Sequence, residues 1–414
     1  NIRIYISKRR SLGIMLKSNN KIYAIGLMSG TSTDGVDVAC IEINSKRKIK
    51  LIAFESYPYP DVLRKRLLTI ANNAETTAAE ISSINVKVGV CFANSVLNLI
   101  SKYNLKKLRL DFIGSHGQTI SHIPKGGKYN KQILSPSTFQ IGDPSIISEL
   151  TGLTVVSDMR TRDIAAGGTG APLTPWAHQK LFQNNNTPVA FLNLGGIANI
   201  TFIPKAKDNG LFGFDCGPAN MIIDRLVSFY TKNKKQFDNE GKMASKGQID
   251  QRELKWLMKN PYFSKIPPKS TGSEDFGKEF SEKLILRFNS KKMNFNDILA
   301  TVTAFTAESI FQSIDTFFPK KKPISKLIIG GGGAKNKTLM SFLETKLNPT
   351  PIISSDKKGF PHDAVEAICF GLLAWATISN IPSNVLDSTG AKSEVVLGNI
   401  TPGLNFKKLY KFNN

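Results

Sequence analysis

Tyr23-Ala-Ile-Gly-Leu-Met-Ser-Gly-Thr-Ser-Thr-Asp-Gly-Val-Asp37 carries an apolar run straight into a turn made of small and polar residues. Ile22 to Leu27 reads as a buried strand and Val36 to Ile43 as its hairpin partner, which leaves Gly30, Thr31, Ser32 and Gly35 at the tip. Glycines at such a tip let backbone N–H groups converge on phosphate oxygens, and Thr31 and Ser32 add hydroxyl donors. Asp34 or Asp37 could hold a magnesium ion through water. An ordinary hairpin with a Gly-Ser turn and an Asp-Gly corner accounts for the same residues.

The rest of the chain repeats the device. Val189-Ala-Phe-Leu-Asn-Leu-Gly-Gly-Ile-Ala-Asn-Ile-Thr-Phe-Ile203 is a second strand-turn-strand with a glycine tip. One such hairpin in each half points to two related lobes gripping a phosphate chain from opposite sides. Lys326-Leu-Ile-Ile-Gly-Gly-Gly-Gly-Ala-Lys-Asn336 is a buried strand whose glycines precede a helix expected from Lys337, a shelf for a nucleoside or phosphate. A helical stretch is expected over Ala74 to Ile100. A strand over Leu108 to Ile113 should run into a polar loop, Gly114 to Pro124, and another strand should end near Asp158. Strands alternate with helices, so the class is α/β.

At 414 residues and 41% hydrophobic, the chain suits two domains with a cleft between them. The division expected is a basic, non-functional extension over 1–20, lobe I over 21–150 plus 398–410, and lobe II over 151–397. Met15 stands shortly before the first strand, in keeping with that extension. The net charge of +23 raises nucleic acid as a partner. Its lysines argue against that: they scatter in short clusters such as Lys46-Arg-Lys48 and Lys320-Lys-Lys322, with no interleaved aromatics and no single helical face. No run approaches the roughly 20 uninterrupted apolar residues of a membrane span. Cys40, Cys91, Cys216 and Cys369 form no C-x-x-C pair and suit a reducing cytoplasm.

Neither the Walker pattern nor a dinucleotide fingerprint is present, since Gly330 to Gly333 lacks the required spacing. Asp215, in Gly213-Phe-Asp-Cys-Gly-Pro-Ala-Asn220, reads either as a base at a strand end or as the N-cap of a helix starting near Met221. Glu366 falls in the first turns of an apolar helix and is either a second site carboxylate or a salt-bridged helix residue. His116, Gln118 and Thr119 suit a polyhydroxylated ligand, or structural hydrogen bonds within their loop. Arg160 could pair with a ligand carboxylate or, equally, with Asp163 of its own loop.

Seven motifs together resemble the anhydro-N-acetylmuramic acid kinase family: Gly26-Leu-Met-Ser-Gly-Thr-Ser-x-Asp-Gly-Val-Asp37, Ser115-His-Gly-Gln-Thr119, Asp163-x-Ala-Ala-Gly-Gly-x-Gly-Ala-Pro-Leu173, Asn193-x-Gly-Gly196, Gly213-Phe-Asp-Cys-Gly-Pro218, Pro267-Pro-Lys-Ser-Thr-Gly272 and Gly331-Gly-Gly-Ala-x-Asn336. They run in the family's order from about Tyr23 to Gly398. The resemblance implies two ribonuclease-H-like, actin-like lobes with ATP and substrate in the cleft between them. It implies phosphorylation of 1,6-anhydro-N-acetylmuramic acid with hydrolytic opening of its anhydro ring, in peptidoglycan recycling. Asp215 would be the base and Glu366 would help to hold sugar and water. Gly30, Thr31, Ser32, Thr33, Asp34, Gly35, Val36 and Asp37 would cradle ATP, joined by Gly195, Gly196, Asn199, Gly331, Gly332, Gly333 and Asn336. Mg2+ would contact Asp34, and His116, Gln118, Thr119 and Arg160 would bind the sugar. A cytoplasmic homodimer is the family expectation. Departures from the family pattern are Thr33, Thr169 and Ala219. Other readings are a kinase of another amino sugar and a non-catalytic actin-like ATP clamp.

Overall fold

The computed structural model describes residues 21–30, 32–71, 74–129 and 132–409. The expected extension over 1–20 and the phosphate-loop candidate Thr31 lie outside the described residues. Ile22–Ser29, Gly35–Ile43 and Ile49–Pro58 form an antiparallel meander, and Phe112–Ile123 then joins Ile22–Ser29 on its other side, running parallel to it. Thr154–Ser157 adds a further parallel strand beyond it. In sequence order that is 3-2-1-4-5. Val189–Leu194, Ile197–Ile203 and Phe212–Pro218 make a second meander, to which Leu327–Gly330 and then Ile352–Ser354 attach in parallel. Order and polarity are those of the first sheet, so each sheet is a ribonuclease-H-like unit.

Three sequence expectations are corrected. Gly114 to Pro124 is not a loop, because Phe112–Ile123 continues as strand and its outer half pairs antiparallel with Ser137–Ile141. That pairing comes from residues 14 or more positions away, which no local pattern announces. Thr154–Ser157 lies past the boundary expected near residue 150, yet it is hydrogen-bonded into the first sheet and pairs with Asn399–Thr401. Val365–Ile378, assigned to lobe II, packs on the first sheet. Gly26 and Gly114 permit this: a Cβ at Gly26 would stand 1.8 Å from the Ala367 carbonyl oxygen, and one at Gly114 would stand 2.2 Å from that of Phe370.

That helix is buried almost all round and belongs to a core that also takes in Ala24, Met28 and Phe112 from the first sheet and Phe191 and Ile328 from the second. It is therefore a wedge shared by both sheets. Ala78–Lys102 begins at an N-cap, Thr77, whose hydroxyl accepts the Glu80 N–H, four residues later than expected. Among the described residues it is the helix long and apolar enough to cross a membrane by length and composition. Its stripe Ile84, Val88, Phe92, Val96 and Leu99 is buried in the core behind the first sheet.

Candidate active site

In the second sheet Asn193, Asn199 and Asp215 stand opposite one another on three neighbouring strands. Side chains alternate faces along a strand, so register places the three polar groups in one row while Phe214 and Cys216 turn into the core behind. Asn199 Nδ2 donates to Asp215 Oδ1 at 2.8 Å, and the Thr271 N–H donates to Oδ2 at 2.9 Å. Burial pushes the Asp215 carboxyl up to about 6; these two hydrogen bonds and the Arg160 charge hold it back, while Glu274 adds to the rise. Asp215 is not a helix cap. Ala219, Asn220 and Met221, at the start of the helix Asn220–Tyr230, donate their N–H groups to the carbonyls of Gly195 and Gly196. The glycine turn caps the helix, so the carboxylate takes its donors from Asn199 and Thr271 and not from the helix start.

Glu366 is in the first turn of Val365–Ile378, where the wedge helix brings it over that row. Its carboxyl is raised by burial and by Asp37, against a hydrogen bond from Asn193 and the charge of Arg160. Carboxylates from both sheets and one guanidinium therefore share a single field. Burial holds the Arg160 guanidinium down to about 10, with Glu366, Asp215 and Asp163 opposing that shift.

Arg160 does not make the pair with Asp163 that its loop offered. Its Nη1 donates to the Gly170 carbonyl at 2.7 Å, and its Nη2 lies 2.9 Å from His116 Nε2. Guanidinium has no acceptor, so His116 Nε2 is the unprotonated nitrogen and Nδ1–H donates to the Gly117 carbonyl at 2.8 Å. Burial and Arg160 push the His116 pKa down to about 3, which keeps the ring neutral. Asp163 is occupied elsewhere, accepting from Gly170 N–H, Thr389 Oγ1 and Asn384 Nδ2.

The sugar-binding set is revised accordingly. Gln118 is wholly buried; its Nε2 donates to the Gly30 carbonyl at 3.1 Å and its Oε1 lies 2.7 Å from Ser29 Oγ. Its amide supports the glycine loop from behind instead of facing a ligand. His116 is likewise engaged at both nitrogens, while Thr119 is half-buried and accepts from Gln140. Arg160 remains the candidate for direct contact.

The nucleotide set also divides. Gly30 and Gly332 are open, with nothing nearer than 3.9 Å to a Cβ at the first and nothing within 4 Å at the second. Gly331 is left-handed at φ +81° beside Asn193 and Leu194, and its N–H donates to the His362 carbonyl at 2.9 Å. Gly195 and Gly196 turn between the two Asn-bearing strands. Val36, by contrast, is in the first core and Thr33 is buried in a tight turn at φ +51°. Asn336 caps Lys337–Leu347 through the Leu339 N–H, so it shapes the shelf from below. Asp34 is exposed and bonded to Arg64 at 2.6 Å. Asp37 lies in the strand Gly35–Ile43 and is bonded to Ser56. Burial together with Asp363 and Asp34 raises Asp37 to about 6; burial together with Asp34 and Asp238 raises Asp224 to about 7. Thr169 ties its loop to the Thr389 carbonyl, and Ala219 sits at φ −118°, where a side chain brings no left-handed strain.

A family model described as anhydro-N-acetylmuramic acid kinase matches residues 22–403. The chain belongs to that family. Relatives with that name include one from Caldanaerobacter subterraneus subsp. tengcongensis, 40% identical over 91% of this chain and 96% of its own. One from Clostridioides difficile is 41% identical over 92% of this chain and 98% of its own, and one from Bacillus cereus is 41% identical over 92% and 99%. Among solved structures, component A of the (R)-2-hydroxyglutaryl-CoA dehydratase of Acidaminococcus fermentans aligns at a TM-score of 0.44 and 14% identity, covering 85% of this chain and 96% of that one. A likeness that distant adds nothing to the family assignment.

Reading motifs alone missed four groups in this kinase-family site. Asn193 was a motif letter until register paired it with Asn199. Thr271 and Tyr262 reach Asp215 from more than 40 residues away, and Asp224 faces Asp34 from the opposite sheet's helix.

Proposed function

We propose that this chain is a kinase that uses ATP and water to convert 1,6-anhydro-N-acetylmuramic acid to N-acetylmuramic acid 6-phosphate and ADP. Family membership supports the activity. The observation that carries the mechanism is Asp215, a half-buried carboxylate with a raised pKa, oriented through both oxygens and sharing the field of Arg160 with Glu366. Its ionised form takes a proton from the attacking water. The water oxygen bonds to C1, the C1–O6 bond breaks, and O6 takes the γ-phosphoryl group as the bond to ADP breaks. Glu366 holds the water and sugar hydroxyls. Arg160 pairs with the lactyl carboxylate.

The nucleotide fits the glycine turns at Gly30, Gly195–Gly196 and Gly332, where a Cβ is absent and space remains open. Magnesium suits the hard oxygen donors nearby, Asp34 foremost, with Asp37 and Asp224 beside it. Among the described residues no cluster of three or more His, Cys, Asp or Glu is placed to chelate a metal. The phosphates would thus provide most of the coordination, and the ion would neutralise charge developing on them. We place the enzyme in the cytoplasm, where ATP is available and the four thiols, unpaired among the described residues, stay reduced.

Incubation with ATP, magnesium and 1,6-anhydro-N-acetylmuramic acid, followed by mass spectrometry, tests the reading. The expected product carries one phosphate and one water more than the substrate. Phosphate without water would overturn coupled ring opening, and no product would overturn the substrate assignment.

A further inference from the structure

Lys269 is 7% exposed, and its Nζ has no hydrogen-bond partner among the described residues. Three rings enclose it: Phe317 at 4.7 Å, Tyr262 at 4.9 Å and Phe214 at 5.6 Å from Nζ to the ring centroid. An ammonium boxed by aromatic faces keeps an attractive field where it has lost water. The cage is built around the residue proposed as the base. Phe214 precedes Asp215 on the strand, the Tyr262 hydroxyl donates to the Asp215 carbonyl at 2.6 Å, and the Lys269 carbonyl accepts the Asp215 N–H. Two residues on, the Thr271 N–H reaches the Asp215 carboxylate.

We infer that Lys269 is a positioning residue for Asp215: its caged ammonium fastens the segment Pro267 to Gly272 against the strand and sets a positive charge behind the carboxylate. The inference rests on Asp215 being the base. The charged and titratable groups around that carboxylate are Arg160 and, over the Asn193 end of the row, Glu366; Glu274 on the short helix Ser273–Phe276; Cys216 and Tyr262 behind it; and Lys269. Burial lowers the Lys269 pKa and the carboxylate opposes that shift, so the two charges sense each other. Removing the ammonium loosens the segment that brings the Thr271 N–H to Asp215, a hydrogen bond that favours the ionised carboxylate.

The test uses the full chain and two readouts. Carbon-13-labelled aspartate, with Asp215 assigned by its loss in D215N, gives the titration of that carboxylate directly in wild type, K269M and K269R. In K269M it should move up by about half to one pH unit, with kcat down about tenfold and the KM for ATP within twofold. K269R should bring the titration back toward wild type. Lys269 with a structural role only would lower the melting temperature without moving the titration, and an unchanged titration in folded K269M overturns the inference. If K269M does not fold, F317L decides: it removes the ring nearest the Lys269 ammonium and leaves the hydrogen bonds of Asp215 in place. A fall in kcat of about fivefold supports positioning, and wild-type kcat overturns it. Loss of the proposed activity in wild type would sink the function while leaving the titration to stand or fall separately.

Discussion

Asp215 can act as a base only when ionised, and burial pushes its carboxyl up to about 6, above the range of an ordinary aspartate. Turnover should therefore rise as pH increases through about 6 and level off above it, which a pH profile of kcat/KM measures. D215N keeps the size and the Asn199 neighbour but removes the base. It should lower kcat by about a thousandfold or more while ATP affinity, measured by calorimetry, changes less than twofold. A near-normal kcat would return Asp215 to a purely structural role. His116 does not share the titration, because a ring that accepts from Arg160 and donates to carbonyls stays neutral well below that range.

Elements meet through glycines, and the consequences differ with what faces each one. Gly26 lies under the wedge helix, so G26A forces a methyl group against the Ala367 carbonyl and must separate strand from helix. A loss of about 3 kcal/mol or more is expected, read as a large drop in melting temperature or in folded yield. Gly332 faces open space on the nucleotide shelf. G332A should melt like wild type yet bind ATP about tenfold more weakly, because the methyl group occupies the room a ligand needs. If ATP affinity survives G332A, the shelf is misplaced.

At the scale of the molecule, carboxylates from the two halves sense one another: Asp34 and Asp37 from the first, Asp224 and Asp363 from the second. A carboxyl raised in the folded state gives stability that is present at low pH and lost as pH rises through its folded value. For Asp37 and Asp224 that loss falls between about pH 4 and 7. D224N should therefore melt at a higher temperature than wild type at pH 7.5, with the gap closing near pH 4; equal melting at pH 7.5 would contradict the like-charge placement. Much of this molecule is legible from the chain alone. Alternating strand and helix, two glycine-tipped hairpins and the place of Asp215 on the strand that follows the second of them all follow from short-range pattern, because strand periodicity and turn chemistry are properties of neighbours in sequence. What depends on register and long-range packing does not. The row Asn193–Asn199–Asp215 exists only once three strands align, and Gln118 and Asn336 prove to be supports because burial consumes their hydrogen bonds. The placement of Thr154–Ser157 and of the wedge helix with the first sheet, and the cage around Lys269, were likewise decided by tertiary structure, since each depends on which distant surface excludes water from it.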